Sequence, residues 1–293
     1  MLDVNHSTSN QKSIKQESKL KIMPKDKDMN KEDEQHKTSC VLQEKCYFDS
    51  NIKVEKLTYI NRSGNQVLKD FYATFKKGKK YALVSANIEE NSMLVKILMK
   101  YYRAYQGIIE IDNMNLNKLP FENLYNNISI LEDKIFMFKG SIRDNITLLK
   151  DYNINKINKA VNSCGIVPIL EKSLLNIDDN ISEYSEKISL EEKLRIFIAR
   201  CLLKGSKVFI VDESILELTF KEISAIEKTL INIDNLTLIT VTDRIIEDNL
   251  KLYDSIIVTK NGTVLEEGNW IQLINLKGHF FKLYKEQLKE VNQ

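Results

Sequence analysis

The order of apolar and polar positions changes character at about residue 50, and from there it predicts a regular series of strands and helices. Residues 52–59 alternate with period two and predict a strand. Residues 61–65, with Gly64, predict a turn, 67–75 a second strand, and 76–80, around Gly78, another turn. Residues 81–85 form a short unbroken apolar run, the pattern of a buried strand. Residues 92–105 carry Leu94, Ile97, Leu98 and Tyr101 at helical spacing. The stretch from about 140 to 204 predicts mostly helix. Its last helix, about 189–203, puts Leu194, Phe197, Ile198 and Cys201 on one face. Residues 207–213 predict a buried strand ending in two acids, Asp212 and Glu213. A helix at 221–231, strands at 236–241 and 255–259, an Asn261-Gly262 turn and a C-terminal helix complete the series. Strands alternating with helices predict a parallel sheet of crossover units. There is no internal repeat.

Residues 1–47 are different. They are rich in Lys, Asp, Glu, Ser, Asn and Gln, with few aromatics and no sustained periodicity. Such a stretch buries too little apolar surface to offset its ordering entropy, so a disordered polar tail is predicted, followed by one domain over 48–293. The whole chain has 293 residues, 43% of them apolar, which suits one large core. Its net charge of +2 gives no case for a nucleic-acid partner. Cys40, Cys46, Cys164 and Cys201 lack metal-ligand spacing and read as reduced thiols of a cytoplasmic protein, and the abundance of Lys, Asn and Ile fits an AT-rich bacterial genome. No apolar run approaches the ~18 residues of a membrane span, and no secretory leader is visible. Any membrane domain is therefore expected on a separate subunit.

Four stretches carry a resemblance. The first is Val67, Leu68, Lys69 and Asp70 with Gly78, Tyr81, Ala82, Leu83 and Val84. The second is Ile128, Ser129, Ile130 and Leu131, followed by Phe136, Phe138, Gly140, Arg143, Asp144, Asn145 and Ile146. The third is Arg195, Phe197, Ala199 and Arg200, followed by Asp212 and Glu213. The fourth is Val264, Leu265, Glu266, Glu267 and Gly268 with Leu273, Gly278, Phe280 and Tyr284. In this order and at these separations, over about 52–290, they resemble the nucleotide-binding domain of ABC transporters of the exporter type. The resemblance implies an α/β fold: a P-loop NTPase (RecA-like) core, an antiparallel β-subdomain at about 52–80 and 106–113, and an inserted helical subdomain at about 134–200.

The same register shows departures at the sites where the family handles ATP. A P-loop needs glycines, so that backbone N–H groups approach phosphate, and a lysine to neutralise it. The matching stretch runs from Ser85 to Ser92 with Asn91 in the lysine position, and no glycine lies between Gly78 and Gly107. Glu89 and Glu90 stand at the start of the helix, where the positive end of the dipole would hold phosphate. Unit charges ~4 Å apart repel by about 1 kcal/mol in water and about 4 near a protein surface.

The signature loop aligns with 188–192, where only Ser189 matches, and no glycine lies between Gly165 and Gly205. The Q-loop glutamine aligns with Asp133, the switch histidine with Asp243, the adenine-stacking aromatic with Asn61, and the D-loop aspartate with Thr219. Tyr59 is the alternative aromatic. His6, His36 and His279 are the only histidines, and none falls at the switch position.

Asp212 and Glu213 match the family. They would hold the Mg²⁺ shell and polarise water, or they persist as solvated or helix-capping acids. The resemblance thus implies ATP and Mg²⁺ as cofactors, and the substitutions predict that neither is held strongly.

The expected function is that of a degenerate ATP-binding-type domain, a non-hydrolysing subunit associated with an ABC exporter. Its partners would be a transporter membrane subunit or a second nucleotide-binding domain, and its place the inner face of the cell membrane. One alternative is a divergent but working ATP-binding subunit. Another is a free-standing module binding a cation or a basic protein segment through Glu89, Glu90, Asp133, Asp212, Glu213 and Asp243. Segment 136–145 keeps the family pattern better than the catalytic loops do; in the family it neighbours the membrane coupling helix. Alternatively, Phe136 and Phe138 are core residues.

Overall fold

Strands with one buried face alternate along their length, and those buried on both faces do not; the two kinds separate into two sheets. The computed structural model describes residues 48–131, 134–173, 176–180 and 188–291, all in one compact unit spanning 45–293. The predicted tail lies outside the described residues. β1 (Asn51–Ile60) and β2 (Gln66–Lys76) form an antiparallel hairpin with alternating burial. β4 (Gln106–Ile111) pairs antiparallel with β1, and β5 (Met114–Asn115) with β4, giving a four-stranded sheet in the order β2-β1-β4-β5.

The second sheet is built of β3 (Lys80–Val84), β6 (Ile128–Leu131), β7 (Val208–Asp212), β8 (Thr237–Thr242), β9 (Ser255–Lys260) and β10 (Thr263–Gly268). Its order is β10-β9-β3-β8-β7-β6. Five strands run parallel and β10 returns antiparallel to β9, so the predicted parallel sheet is mixed at one edge. All residues of β3, β7 and β8 are buried. Each strand sends alternate side chains to two cores. Tyr81, Leu83, Ile210 and Val241 pack towards the antiparallel sheet and α1 (Ile88–Leu98). Ala82, Val84, Phe209 and Leu238 pack towards the helices on the other face. Pairing of period-two strands with helical stripes is what buries both faces of a parallel sheet.

Those helices are α3 (Ile142–Thr147), α4 (Ile154–Ser163), α5 (Val167–Ser173), α6 (Leu190–Lys204), α7 (Phe220–Ile231), α8 (Glu247–Leu250), α9 (Trp270–Leu276) and α10 (His279–Val291). A further short helix, α2 (Phe121–Asn127), leads into β6. One predicted helix is displaced. Residues 92–105 were expected to be helical; α1 begins at Ile88 and ends at Leu98, and Tyr101 is exposed rather than on the buried face. The acids Glu89 and Glu90 occupy its first turn, which favours an early start. Cys164 and Cys201 are buried free thiols, and burial pushes the Cys164 thiol up to about 12; Cys40 and Cys46 lie outside the described residues.

Candidate functional site

In a sheet of parallel strands, loops and helix N-termini gather at the strands' C-terminal ends, and ligands bind there. Here that edge brings together Ser85 after β3, Asp212 at the end of β7 and Thr242 at the end of β8. Ser85 N donates to Thr242 O at 3.3 Å, so the first loop is fastened to β8. The loop enters α1 through Asn87, whose backbone N–H bonds Ser85 Oγ at 3.1 Å.

Asn91 and Glu90 both find partners within the chain. Asn91 is fully buried, and its Oδ1 accepts from Thr259 Oγ1 of β9 at 2.9 Å; its Nδ2 has no partner. A short amide turned onto the sheet stands where the family has a long cation. Glu90 accepts from Gly262 N at 2.7 Å and from Asn87 Nδ2 at 3.2 Å. Gly262 lies at φ +74°, and a Cβ there would be 2.3 Å from Val67 O. This tight turn is the reason a glycine N–H is close enough for Glu90 to cap. Glu90 thus ties α1 to the β9–β10 turn, and Glu89 alone is left exposed at the helix start.

Ser92 and Asp212 do meet. Ser92 Oγ donates to Asp212 Oδ1 at 2.7 Å, and the same oxygen accepts from Ser214 Oγ at 2.7 Å and Ser214 N at 3.1 Å. A P-loop serine and an aspartate are the donors that hold Mg²⁺ in P-loop enzymes. In this chain two serines satisfy the aspartate, and Ser214 was not anticipated from sequence. Mg²⁺ is normally completed by substrate phosphates, and a loop without glycine or lysine does not fit them. Among the described residues no group of three Asp, Glu, His or Cys side chains could hold an ion.

Glu213 follows in a one-turn 3₁₀ helix and is buried. Burial first, and the neighbouring Glu227 second, push its carboxyl up to about 8. Arg244 Nε lies 3.6 Å from Glu213 Oε2, which accepts no hydrogen bond. Glu227, on α7, is itself buried, accepting from Tyr253 Oη at 2.5 Å and from Asn249. Two buried carboxyls share this pocket, and neither Glu227 nor Tyr253 carried a sequence signal, since both fall in ordinary helical or loop patterns.

The remaining predicted positions are dispersed. Ser189 Oγ caps its own helix, accepting from Glu192 N at 3.2 Å, while Ser189 N donates to Glu192 Oε2 at 2.9 Å. One N-terminal N–H of α6 is thus met by the Ser189 hydroxyl, and the N–H of the capping residue itself by the chain's own acid. Thr219 makes the same capping box at the start of α7. Asn61 Oδ1 accepts from Ser63 N and Asn65 N, so it builds the β1–β2 turn and is not a stacking group. Tyr59 is buried with its ring 5.5 Å from Tyr102, a packing contact. Asp243 is exposed, and Asp133 lies outside the described residues. Among the described residues these acids form no cation site: Glu90 and Asp212 are bonded within the chain, and Glu213 faces Arg244.

A second concave region lies at the β6 edge of the sheet. A cavity of about 490 Å³ is lined by Tyr101, Tyr125, Ile130, Leu148, Tyr152 and Arg200, among others. Arg200 Nε donates to Asn145 O at 2.8 Å, and its terminal nitrogens reach Phe136 O. Phe136 is 73% exposed, which removes it from the core; Phe138 is half-buried. Leu148 and Leu149, both in the left-handed region, are also exposed.

The ABC transporter family matches residues 68–215, just over half of the chain. The ATP-dependent lipid A-core flippase of Wigglesworthia glossinidia brevipalpis is 29% identical over 253 residues, covering 84% of this chain and 43% of the flippase. P-glycoprotein 14 of Caenorhabditis elegans is 29% identical over 234 residues, 79% of this chain and 18% of its own length. The lactococcin-A transport/processing ATP-binding protein of Lactococcus lactis subsp. lactis is 28% identical over 236 residues, 80% of this chain and 33% of its own. The chain thus spans less than half the length of these relatives. A bacterial Atm1-family ABC exporter solved with ATP bound superposes with a TM-score of 0.67 at 21% identity, covering 81% of this chain and 42% of that one. Motif order, sheet topology and these matches agree: the chain belongs to the ABC transporter family and has the fold of an exporter's ATP-binding domain.

Proposed function

We propose that this chain works as a non-hydrolysing ABC-type domain that docks on the membrane part of an exporter. The observation that carries it is the β3–α1 loop: it has no glycine and no lysine, and Asn91 in the lysine position is spent on Thr259. An oxyanion at the start of α1 would meet no cation and would approach Glu89. The β6-edge cavity supports the docking half of the reading. It is bordered by Leu148, and Phe136 and Leu149 stand exposed in the same part of the chain. Apolar side chains left in water beside a formed groove mark an interaction surface.

A second reading, a working ATP-binding subunit, is favoured by the comparisons more than the first is. The relatives are named as ATP-dependent flippases and transport ATP-binding proteins, and the Ser92–Asp212 pair is in place. The two readings share the docking surface and differ in nucleotide binding.

The docking surface is tested by replacing Leu148 and Leu149 with glutamate in the full chain. The parent protein should sediment with the membrane fraction of its source cells and, carrying a photoreactive residue at the neighbouring exposed position 150, cross-link to a membrane protein. The double variant should lose both, by about tenfold, because a charge buried against an apolar partner is strongly disfavoured. Equal cross-linking by both proteins, or none by either, contradicts the docking role.

A further inference from the structure

The segment that follows β8 is fastened from two sides. From the C-terminal helix α10, Gln287 Oε1 accepts from Ile245 N at 2.8 Å, and its amide donates to Asp243 O. Tyr284, one turn earlier, donates to Glu247, which also pairs with Lys251. From the side of the sheet, Arg244 N donates to Thr242 Oγ1 at 2.9 Å. The Arg244 side chain then reaches back to three points. It donates to Leu218 O at 3.1 Å, lies over the Phe220 ring at 4.7 Å, and faces Glu213 at 3.6 Å.

Between these two attachments is a cavity of about 480 Å³, lined by Phe220, Ile245, Ile246, Tyr284 and Leu288, among others. Ile245 and Ile246 also pack against the core, but the cavity leaves segment 243–247 only partly backed. Of the hydrogen bonds that fix it, one glutamine supplies two. A backbone so held is the kind that opens locally at low cost.

We propose that Gln287 and Arg244 are positioning residues acting in series. Helix α10 fixes segment 243–247 through Gln287, and that segment fixes Glu213 and the 216–220 loop through Arg244. Anything that lifts α10, such as a partner binding the C-terminal helix, then loosens the buried acid at the end of β7. The linkage is mechanical and holds whether or not the chain binds nucleotide. Arg244 suits the task because its planar fork makes several directed contacts at once, which a lysine cannot.

Backbone amide hydrogen exchange of the full chain tests this. Gln287→Ala should speed exchange in 243–247 and also in 213–218 by about tenfold. Fluorescence of Trp270, which packs on Phe280 and Tyr284, should stay unchanged, showing that α10 remains docked. Arg244→Gln should speed 213–218, and adding Gln287→Ala to it should speed that region no further. Exchange rising only in 243–247 in Gln287→Ala, or the two effects adding in the double variant, overturns the proposal. If Gln287→Ala exchanges uniformly because it unfolds, Gln287→Glu, which keeps the acceptor for Ile245 N, is read by the same criteria.

Discussion

Replacing Asn145 by alanine should lower the unfolding free energy by about 2 kcal/mol. Asn145 is fully buried at the centre of the 138–145 turn. Its Oδ1 accepts from Phe138 N at 3.1 Å, and its Nδ2 donates to Phe138 O at 3.1 Å and Ser141 O at 2.9 Å. Alanine would remove this partner from Phe138 N and Phe138 O, at about 1 kcal/mol or more each, while Ser141 O keeps the backbone N–H of residue 145 at 3.1 Å. The same turn presents Phe136 and anchors Arg200, so membrane docking should weaken alongside stability. Urea unfolding checks the first effect; a loss below about 0.5 kcal/mol would mean that the turn is held by other contacts.

Glu213→Gln should stabilise the protein by a few kcal/mol at pH 9 and by little at pH 5. The folded-state carboxyl is pushed up to about 8, against 4.5 for an unperturbed glutamate, by burial and by Glu227. Thr242, Arg244 and Asp243 are the other groups that face it. The sign follows from the raised value. Below about pH 4.5 both states hold the proton and folding is not penalised. As pH rises towards 8 the unfolded state gives the proton up and the folded state keeps it, so stability is lost across that interval. Glutamine carries no such proton, so the variant's melting temperature should fall less between pH 5 and 9 than that of the parent. Parallel pH profiles for the two proteins would place the lost stability elsewhere, the buried Glu227 being the next group to replace.

Much of the fold could be read from the chain because its signals are local. Period two in 52–59 and 67–75 gave the hairpin, and unbroken apolar runs at 81–85 and 207–213 gave the central strands. The start of α1 was harder, since Asn91 and Ser92 are polar yet buried and interrupt the apolar stripe. The absence of glycine and lysine from residues 85–92 is visible without coordinates. The partners of Glu90 and Asn91 are not. Glu90 bonds Gly262, 172 residues away, and Asn91 bonds Thr259, 168 residues away. Such pairs follow from sheet order and leave no periodic trace. Glu90 in particular changes meaning: an acid read as repelling phosphate is also a cap that ties α1 to the β9–β10 turn.

In the non-hydrolysing reading proposed above, an exporter-type ATP-binding fold has closed its phosphate site with its own side chains. Titration of a fluorescent ATP analogue with Mg²⁺ into the full chain tests it most directly. No saturable binding is expected up to about 1 mM, which corresponds to a binding free energy weaker than about −4 kcal/mol. Saturable binding in the micromolar range, abolished by Asp212→Ala, would contradict it and establish the chain as a working ATP-binding subunit.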